Sequence, residues 1–318
     1  MTTLLPALQA IADAVASPSS SPASPSIPEA RAAAHAMLDS TLAVLGGEAP
    51  PAVADEVDHQ VAVDGAEITV RLYRPAGERL PVHVYIHGGG FWTGTLDHSD
   101  AACRRIVHDV GCAVVSVAHR LAPECPFPGP AEDCYAALGW VAEHAEGLGL
   151  DPDRLSIGGV SSGGNLAAAV TLMARDRGGP AIAFQVLEIP VTDLTMSQPS
   201  IEENAAGPLL TRAGVAWFID GYLADPADAT HPYASPLLAP DVAGLPPALV
   251  MTAELDPLRD EGEAYARRLA AAGVAVEHHR WDGQFHGSQS MAALIPEEAA
   301  TYRAHIAAAL SAALEERP

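Results

Sequence analysis

Leu155-Ser156-Ile157-Gly158-Gly159-Val160-Ser161-Ser162-Gly163-Gly164-Asn165-Leu166 reads as a short apolar strand that runs through a glycine-flanked serine into an alanine-rich helix. Gly159 and Gly163 stand two residues on either side of Ser161, the G-x-S-x-G spacing of a sharp strand-to-helix turn. Such a turn lifts the serine hydroxyl above a sheet, and a Cβ at either flanking position is expected to collide with the adjoining strand or helix. It also points the first N–H groups of the helix at the space in front of the hydroxyl, where an acyl oxygen would gain negative charge. Ser162 is the weaker nucleophile, because Val160 replaces the glycine its own motif needs. A glycine-serine cluster by itself is an ordinary loop or helix start. Its position between a strand and a helix gives it meaning.

Working outward, strand-like runs recur with helical stretches between most of them: Val82 to Ile86, Ala113 to Val117, Leu155 to Gly158, Ile182 to Ile189, Ala248 to Thr252 and Val276 to Trp281. This alternation predicts an α/β fold with a mainly parallel sheet covered on both faces and ligands at the carboxyl ends of the strands. His59 to Tyr73 alternates around Asp64-Gly65, the pattern of a hairpin at a sheet edge. No strand is evident between Thr192 and Pro247, where Leu210 to Leu223 carries Trp217, Phe218 and Tyr222 on an amphipathic helix. We expect this insertion, around 192–232, to form a cap over the strand ends together with an N-terminal helical segment, 1–50. That segment has helical spacing at residues 4–16, a Ser/Pro-rich connector from Ser17 to Pro28, and a second helix from Pro28 to Gly46-Gly47. Met37, Leu38, Leu42 and Leu45 give the second helix an apolar stripe, expected to pack as core or as part of a lid.

The 318 residues, 49% hydrophobic and 18% charged, suffice for one large core with or without a lid. A formal net charge of -23 argues against nucleic acid and anionic membrane surfaces as partners. All 17 basic residues are arginine. Cys103, Cys112, Cys125 and Cys134 lack paired metal spacing and are expected to be reduced, mostly buried thiols. Neither a signal-peptide pattern nor an apolar run of membrane-spanning length is present, so the default expectation is a cytoplasmic protein.

A serine hydroxyl is a poor nucleophile at neutral pH and needs a base, which in turn needs an orienting carboxylate. Asp256 follows the strand Ala248 to Thr252, and His286 follows the last strand, so both stand at the same sheet end as Ser161. Asp256 could equally cap a helix ahead of Pro257. His286 is one of 13 histidines, among which His278 and His279 lie within a strand and are poorer candidates. The first parallel strand ends in His87-Gly88-Gly89-Gly90-Phe91-Trp92, whose successive glycines leave backbone N–H groups uncovered, as an oxyanion hole requires. The order Ser161, Asp256, His286, each at a strand end, joins these features into one constellation.

From about His59 to the C-terminus the chain resembles the hormone-sensitive-lipase-like family of α/β-hydrolases, the bacterial family IV esterases. The resemblance rests on the HGGGF loop, His119-Arg120-Leu121-Ala122-Pro123-Glu124, the serine turn, Tyr233-Ala234-Ser235-Pro236-Leu237, Asp256-Pro257-Leu258-Arg259-Asp260-Glu261-Gly262, and Phe285-His286-Gly287. It implies an α/β-hydrolase catalytic domain over 51–318, with Ser161 as nucleophile, His286 as general base and acid, and Asp256 holding the imidazole. The implied oxyanion hole is formed by the N–H groups of Gly89, Gly90 and Ser162, with His87 organising its loop. A small-molecule ester of short to medium acyl length is the implied substrate, no metal or organic cofactor is called for, and a homodimer is suggested. Because the base must be neutral, activity is expected to rise with pH through the range in which imidazoles titrate. Acyl transfer, lactone or natural-product ester hydrolysis, and ligand binding without catalysis are the alternatives on this scaffold. Two departures from the family pattern stand out: GDSAGG is replaced here by Gly159-Val160-Ser161-Ser162-Gly163-Gly164, and LIYP by Leu187-Glu188-Ile189-Pro190. Glu188 is expected to be satisfied by an arginine or backbone donors, or else to replace the missing elbow aspartate or shape the pocket.

Overall fold

The computed structural model describes residues 4–15 and 27–315. In chain order the elements are α1 (Pro6–Val15), α2 (Ile27–Leu45), β1 (Asp55–Val63), β2 (Ala66–Arg74), β3 (Leu80–Ile86), α3 (Leu96–Val110), β4 (Ala113–Ala118), α4 (Gly129–His144), β5 (Leu150–Val160), α5 (Ser162–Arg177), β6 (Phe184–Glu188), α6 (Ser200–Glu203), α7 (Arg212–Tyr222), β7 (Ala248–Leu255), α8 (Arg259–Ala271), β8 (Val276–Phe285) and α9 (Pro296–Leu314). The strands form one eight-stranded sheet in the order β1-β2-β4-β3-β5-β6-β7-β8. The expected hairpin is β1 and β2, whose antiparallel pair joins antiparallel to β4, while every pairing from β4 to β8 is parallel.

The central strands are apolar almost throughout because both faces are covered. Helices α4, α5 and α8 pack with Val82, Val84, Ile86, Val115, Ile157 and Leu187 on one face. On the other, α3 and α9 pack against Tyr85, Val114, Val186, Leu249 and Met251. Strand ends differ from the sequence reading by a few residues, the largest change being β5, which begins at Leu150 and pairs there with Leu80. Within 192–247 the described chain contains helices and loops, as expected.

The second helix meets its expectation in part. No residue of α2 is fully buried and Met37 is 65% exposed, but Leu38, Leu42 and Leu45 are half-buried, and Leu45 packs against the cluster of Leu8, Phe285, Met291 and Ile295. Polar contacts described below also fasten α2. Helix α1 does insert an apolar residue: Leu8 is fully buried with Phe285, Met291 and Ile295. Most of the Ser/Pro-rich connector lies outside the described residues. All four thiols are unpaired, with Cys103, Cys112 and Cys134 buried. No helix among the described residues is long and apolar enough to cross a membrane.

Candidate active site

Ser161 sits in the turn between β5 and α5 at φ 58° and ψ −118°, a strained conformation for a residue with a side chain. The turn is held from several sides. The Ser161 N–H donates to the Glu188 carbonyl at 2.8 Å, and its own carbonyl accepts from the N–H groups of Asn165 and Val191 at 3.1 and 3.2 Å. The two glycines are needed sterically: a Cβ on Gly159 would lie 2.4 Å from the Ile86 carbonyl oxygen, and one on Gly163 only 2.1 Å from it. Neither neighbour can yield, because both are backbone.

Asp256 follows β7 and is 1% exposed. One carboxylate oxygen accepts the Leu258 N–H at 2.8 Å and the other faces His286 Nδ1 at 2.7 Å. Asp256 therefore steadies the approach to α8 and also orients the imidazole. With Nδ1–H donated to Asp256, Nε2 is left to accept the Ser161 hydroxyl, 3.0 Å away. The three residues, 125 and 30 positions apart in sequence, meet over the ends of β5, β7 and β8. His278 and His279 do not join them; His278 bonds Thr252, and His279 packs with Trp281 and His305.

Gly89 and Gly90 adopt φ 126° and 60°, values open to glycine. Gly89 O accepts the N–H groups of Trp92 and Thr93, which curls the loop, while the Gly89 and Gly90 N–H groups donate to no protein acceptor among the described residues. Ser162 opens α5, so its N–H belongs to the unpaired first turn. His87 is buried behind the loop, where Nδ1 donates to the Gly88 carbonyl at 2.9 Å and the ring stacks on His119. Burial, reinforced by His119, pushes the His87 pKa down to about 3, so the ring is neutral and acts as packing and hydrogen-bonding structure.

Helix α7 and the segment before it lie against both loops. Phe218 of α7 lies against Gly90, where a Cβ would be 2.9 Å from its ring, and Leu209 comes within 3.8 Å of the same construction at Gly287, beside His286. Tyr222 stacks on Phe91 at 3.7 Å and is fully buried, so it is packing and not pocket lining. Trp217 meets Trp92 edge-to-face at 4.6 Å and remains 47% exposed.

Glu188 is not satisfied by an arginine or a backbone donor, since neither reaches its carboxyl among the described residues. It points to the α3/α9 face, as Phe184 and Val186 do, beside the Tyr302 phenol and near Tyr85 and Cys103. Tyr302 influences the carboxyl without meeting hydrogen-bond geometry, and burial raises the Glu188 pKa to about 7. Glu188 is also the register partner of Val160, so its carboxyl stands across from the elbow position at which the family pattern carries aspartate.

Sequence reasoning missed several supports. Asn165 Nδ2 donates to Val191 and Ala234 carbonyls, tying α5 to both ends of the segment between β6 and β7 that follows Pro190 and precedes Ser235. The buried Glu261 accepts the Thr192 and Asp193 N–H groups, tying the loop after β6 to α8. Arg31 and His35 of α2 contact the glycine loop after β3. The first two lay in recognised motifs without a stated role; the last two had no local signal.

A family model described as an alpha/beta hydrolase fold matches residues 83–290. Carboxylesterase NlhH of Mycobacterium tuberculosis is 44% identical over 265 residues, 79% of this chain and 81% of that protein. Ethyl acetate hydrolase of Pseudomonas putida is 40% identical over 74% of this chain and 75% of its own. Among solved structures, a hyperthermophilic esterase from the archaeon Pyrobaculum calidifontis superposes with a TM-score of 0.89 at 39% identity, covering 98% of this chain and all of that one.

Proposed function

The chain belongs to the hormone-sensitive-lipase-like family of the α/β-hydrolase superfamily and is a carboxylic-ester hydrolase, and from that premise we propose that it works through an acyl-enzyme on Ser161. The observation that carries this reading is the hydrogen-bonded series Ser161, His286, Asp256 standing beside N–H donors that have no protein partner among the described residues.

As Ser161 Oγ attacks the ester carbonyl, its proton passes to His286 Nε2, and the imidazolium that forms is stabilised by Asp256. The carbonyl oxygen becomes an oxyanion held by the N–H groups of Gly89, Gly90 and Ser162. Collapse of the tetrahedral intermediate breaks the ester C–O bond, and His286 gives its proton to the departing alcohol. A water then attacks the acyl-serine, its proton going to His286 and then to Ser161 Oγ as the carboxylic acid leaves.

Short to medium acyl chains are the proposed substrates. Supporting this, Ser161 is only 9% exposed, and Leu209 and Phe218 crowd the approaches beside His286 and the oxyanion loop. The four unpaired thiols favour a reducing compartment, the cytoplasm.

The deciding experiment is hydrolysis of p-nitrophenyl esters from acetate to laurate by the wild type and Ser161→Ala. We expect an optimum at or below the octanoate and loss of activity with the serine. Full activity in Ser161→Ala, or a preference for laurate, would overturn the nucleophile or the chain-length reading respectively.

A further inference from the structure

The N-terminal helix α2 touches the oxyanion loop although it lies outside the family match at 83–290. Beside the apolar packing of Leu45 at its C-terminal end, α2 carries a polar stripe at helical spacing, Arg31, His35 and Asp39. Arg31 Nε donates to the Trp92 carbonyl at 2.6 Å, and Nη2 donates to the Ala122 carbonyl at 2.9 Å. The Glu124 carboxylate holds the guanidinium from the other side at 2.9 and 2.6 Å. His35 Nε2 accepts the Gly94 N–H at 3.2 Å, and Asp39 pairs with His98 on α3.

The loop converts these outer contacts into an inner geometry. Trp92 C=O and Thr93 N–H belong to one peptide plane and point opposite ways. The Thr93 N–H donates to the Gly89 carbonyl at 3.1 Å. Gly89 C=O and Gly90 N–H share the next plane, so the Gly90 N–H points away from that bond, a donor with no acceptor among the described residues. Two peptide planes in series therefore connect the Arg31 guanidinium to Gly90. A cation at the outer end polarises both amides in the sense that makes the last N–H a better donor to an anion. The second carbonyl gripped by Arg31, Ala122, is tied to the same loop, because the Ala122 N–H donates to Phe91 O at 2.9 Å.

We propose that Arg31 is a positioning residue for ester hydrolysis, acting through the Trp92–Thr93 and Gly89–Gly90 peptides to orient and polarise the oxyanion hole. The assignment rests on the reading of Gly90 and Ser161 given above. Arg31 touches no reacting atom.

The test uses the full chain with Arg31→Met, which keeps the aliphatic stem and removes the donors, and Arg31→Lys, which keeps the charge but not the fork. Since α2 buries no residue, both are expected to fold, checked by melting temperature. For p-nitrophenyl acetate and p-nitrophenyl hexanoate alike, Arg31→Met should lower kcat about tenfold, less than loss of a whole oxyanion donor, with KM within about twofold. The rate of Ser161 phosphorylation by diethyl p-nitrophenyl phosphate, whose oxygen gains charge in the same hole, should fall in parallel, and Arg31→Lys should lie between. If α2 is merely a pocket wall, KM rises with acyl length while acetate kcat is kept, and the proposal is overturned. Should Arg31→Met fail to fold, the same split is read from Arg31→Lys. Ser161→Ala, measured alongside, separates the two readings: unchanged kcat in the Arg31 variants with loss in Ser161→Ala overturns the relay alone, whereas activity in Ser161→Ala overturns the nucleophile and the relay with it.

Discussion

Ser161 holds a backbone conformation that most side chains avoid, and it is kept there by four hydrogen-bonding or steric partners that are all backbone. The strain is local, whereas the groups that resist its release come from β3, β6, the loop after β6 and the first turn of α5. In the proposed mechanism Asp256 adds the electrostatic part, because a nearly inaccessible carboxylate beside His286 would stabilise an imidazolium far more than an exposed one could. Asp256→Asn replaces that charge at constant size and leaves the Leu258 N–H an acceptor. We expect the variant to keep its melting temperature within a few degrees and to lose about 10⁴-fold in kcat on p-nitrophenyl acetate, the scale of such a replacement in other serine hydrolases. A loss below tenfold would remove Asp256 from the role.

Strand β5, the elbow and α5 work as one element, since the first turn of α5 must pass directly over the end of β3. The Gly163 α-carbon is so close to β3 that a methyl group there would stand 2.1 Å from Ile86 O and 2.5 Å from His87 O. Gly163→Ala therefore displaces either the elbow or the start of the glycine loop after β3. The expected result is poor yield of folded protein, and in any folded fraction a fall in kcat of at least about 100-fold, in line with loss of an oxyanion contact. Wild-type activity in a folded Gly163→Ala would contradict the packing described for this element. Helix α2 is the contrasting case: it contributes no fully buried apolar residue, and beside the packing of Leu45 its attachment depends on charged and polar groups whose geometry must be met to be of use.

Across the whole molecule, one buried carboxyl links folding to pH. Burial raises the Glu188 pKa from an ordinary 4.5 to about 7, and the groups facing it, Tyr302, Tyr85 and Cys103, are neutral over that range. The folded protein thus retains a proton that the unfolded chain has released, so this contribution to stability is full below about pH 4.5 and disappears as pH rises through about 7. The difference between the two limits is on the order of 3 kcal/mol. Glu188→Gln removes the titration. Its melting temperature relative to wild type should therefore rise by several degrees between pH 5 and pH 9. A difference that stays constant with pH would show that Glu188 does not titrate in the folded protein. The -23 net charge adds a general self-repulsion common to both proteins, so it cancels in this comparison.

The sequence by itself determined the parallel α/β architecture, the strand-end order of Ser161, Asp256 and His286, and the glycine loop after β3. These are legible because hydrophobic periodicity, glycine spacing and turn chemistry are local properties of the chain. Tertiary structure alone decided which polar groups meet across distance. Arg31 reaches carbonyls 61 and 91 residues away, and Asn165 reaches one 69 residues away. Glu188 finds a phenol from α9 where an arginine or backbone donor was expected. The stripe on α2 is only half-buried, and beside Leu45, which packs on an apolar cluster, the helix docks through Arg31 and His35, because the loops beneath that part present carbonyls and an N–H. Such pairings depend on where independent segments come to rest in the fold, and no repeat or spacing within either segment encodes them.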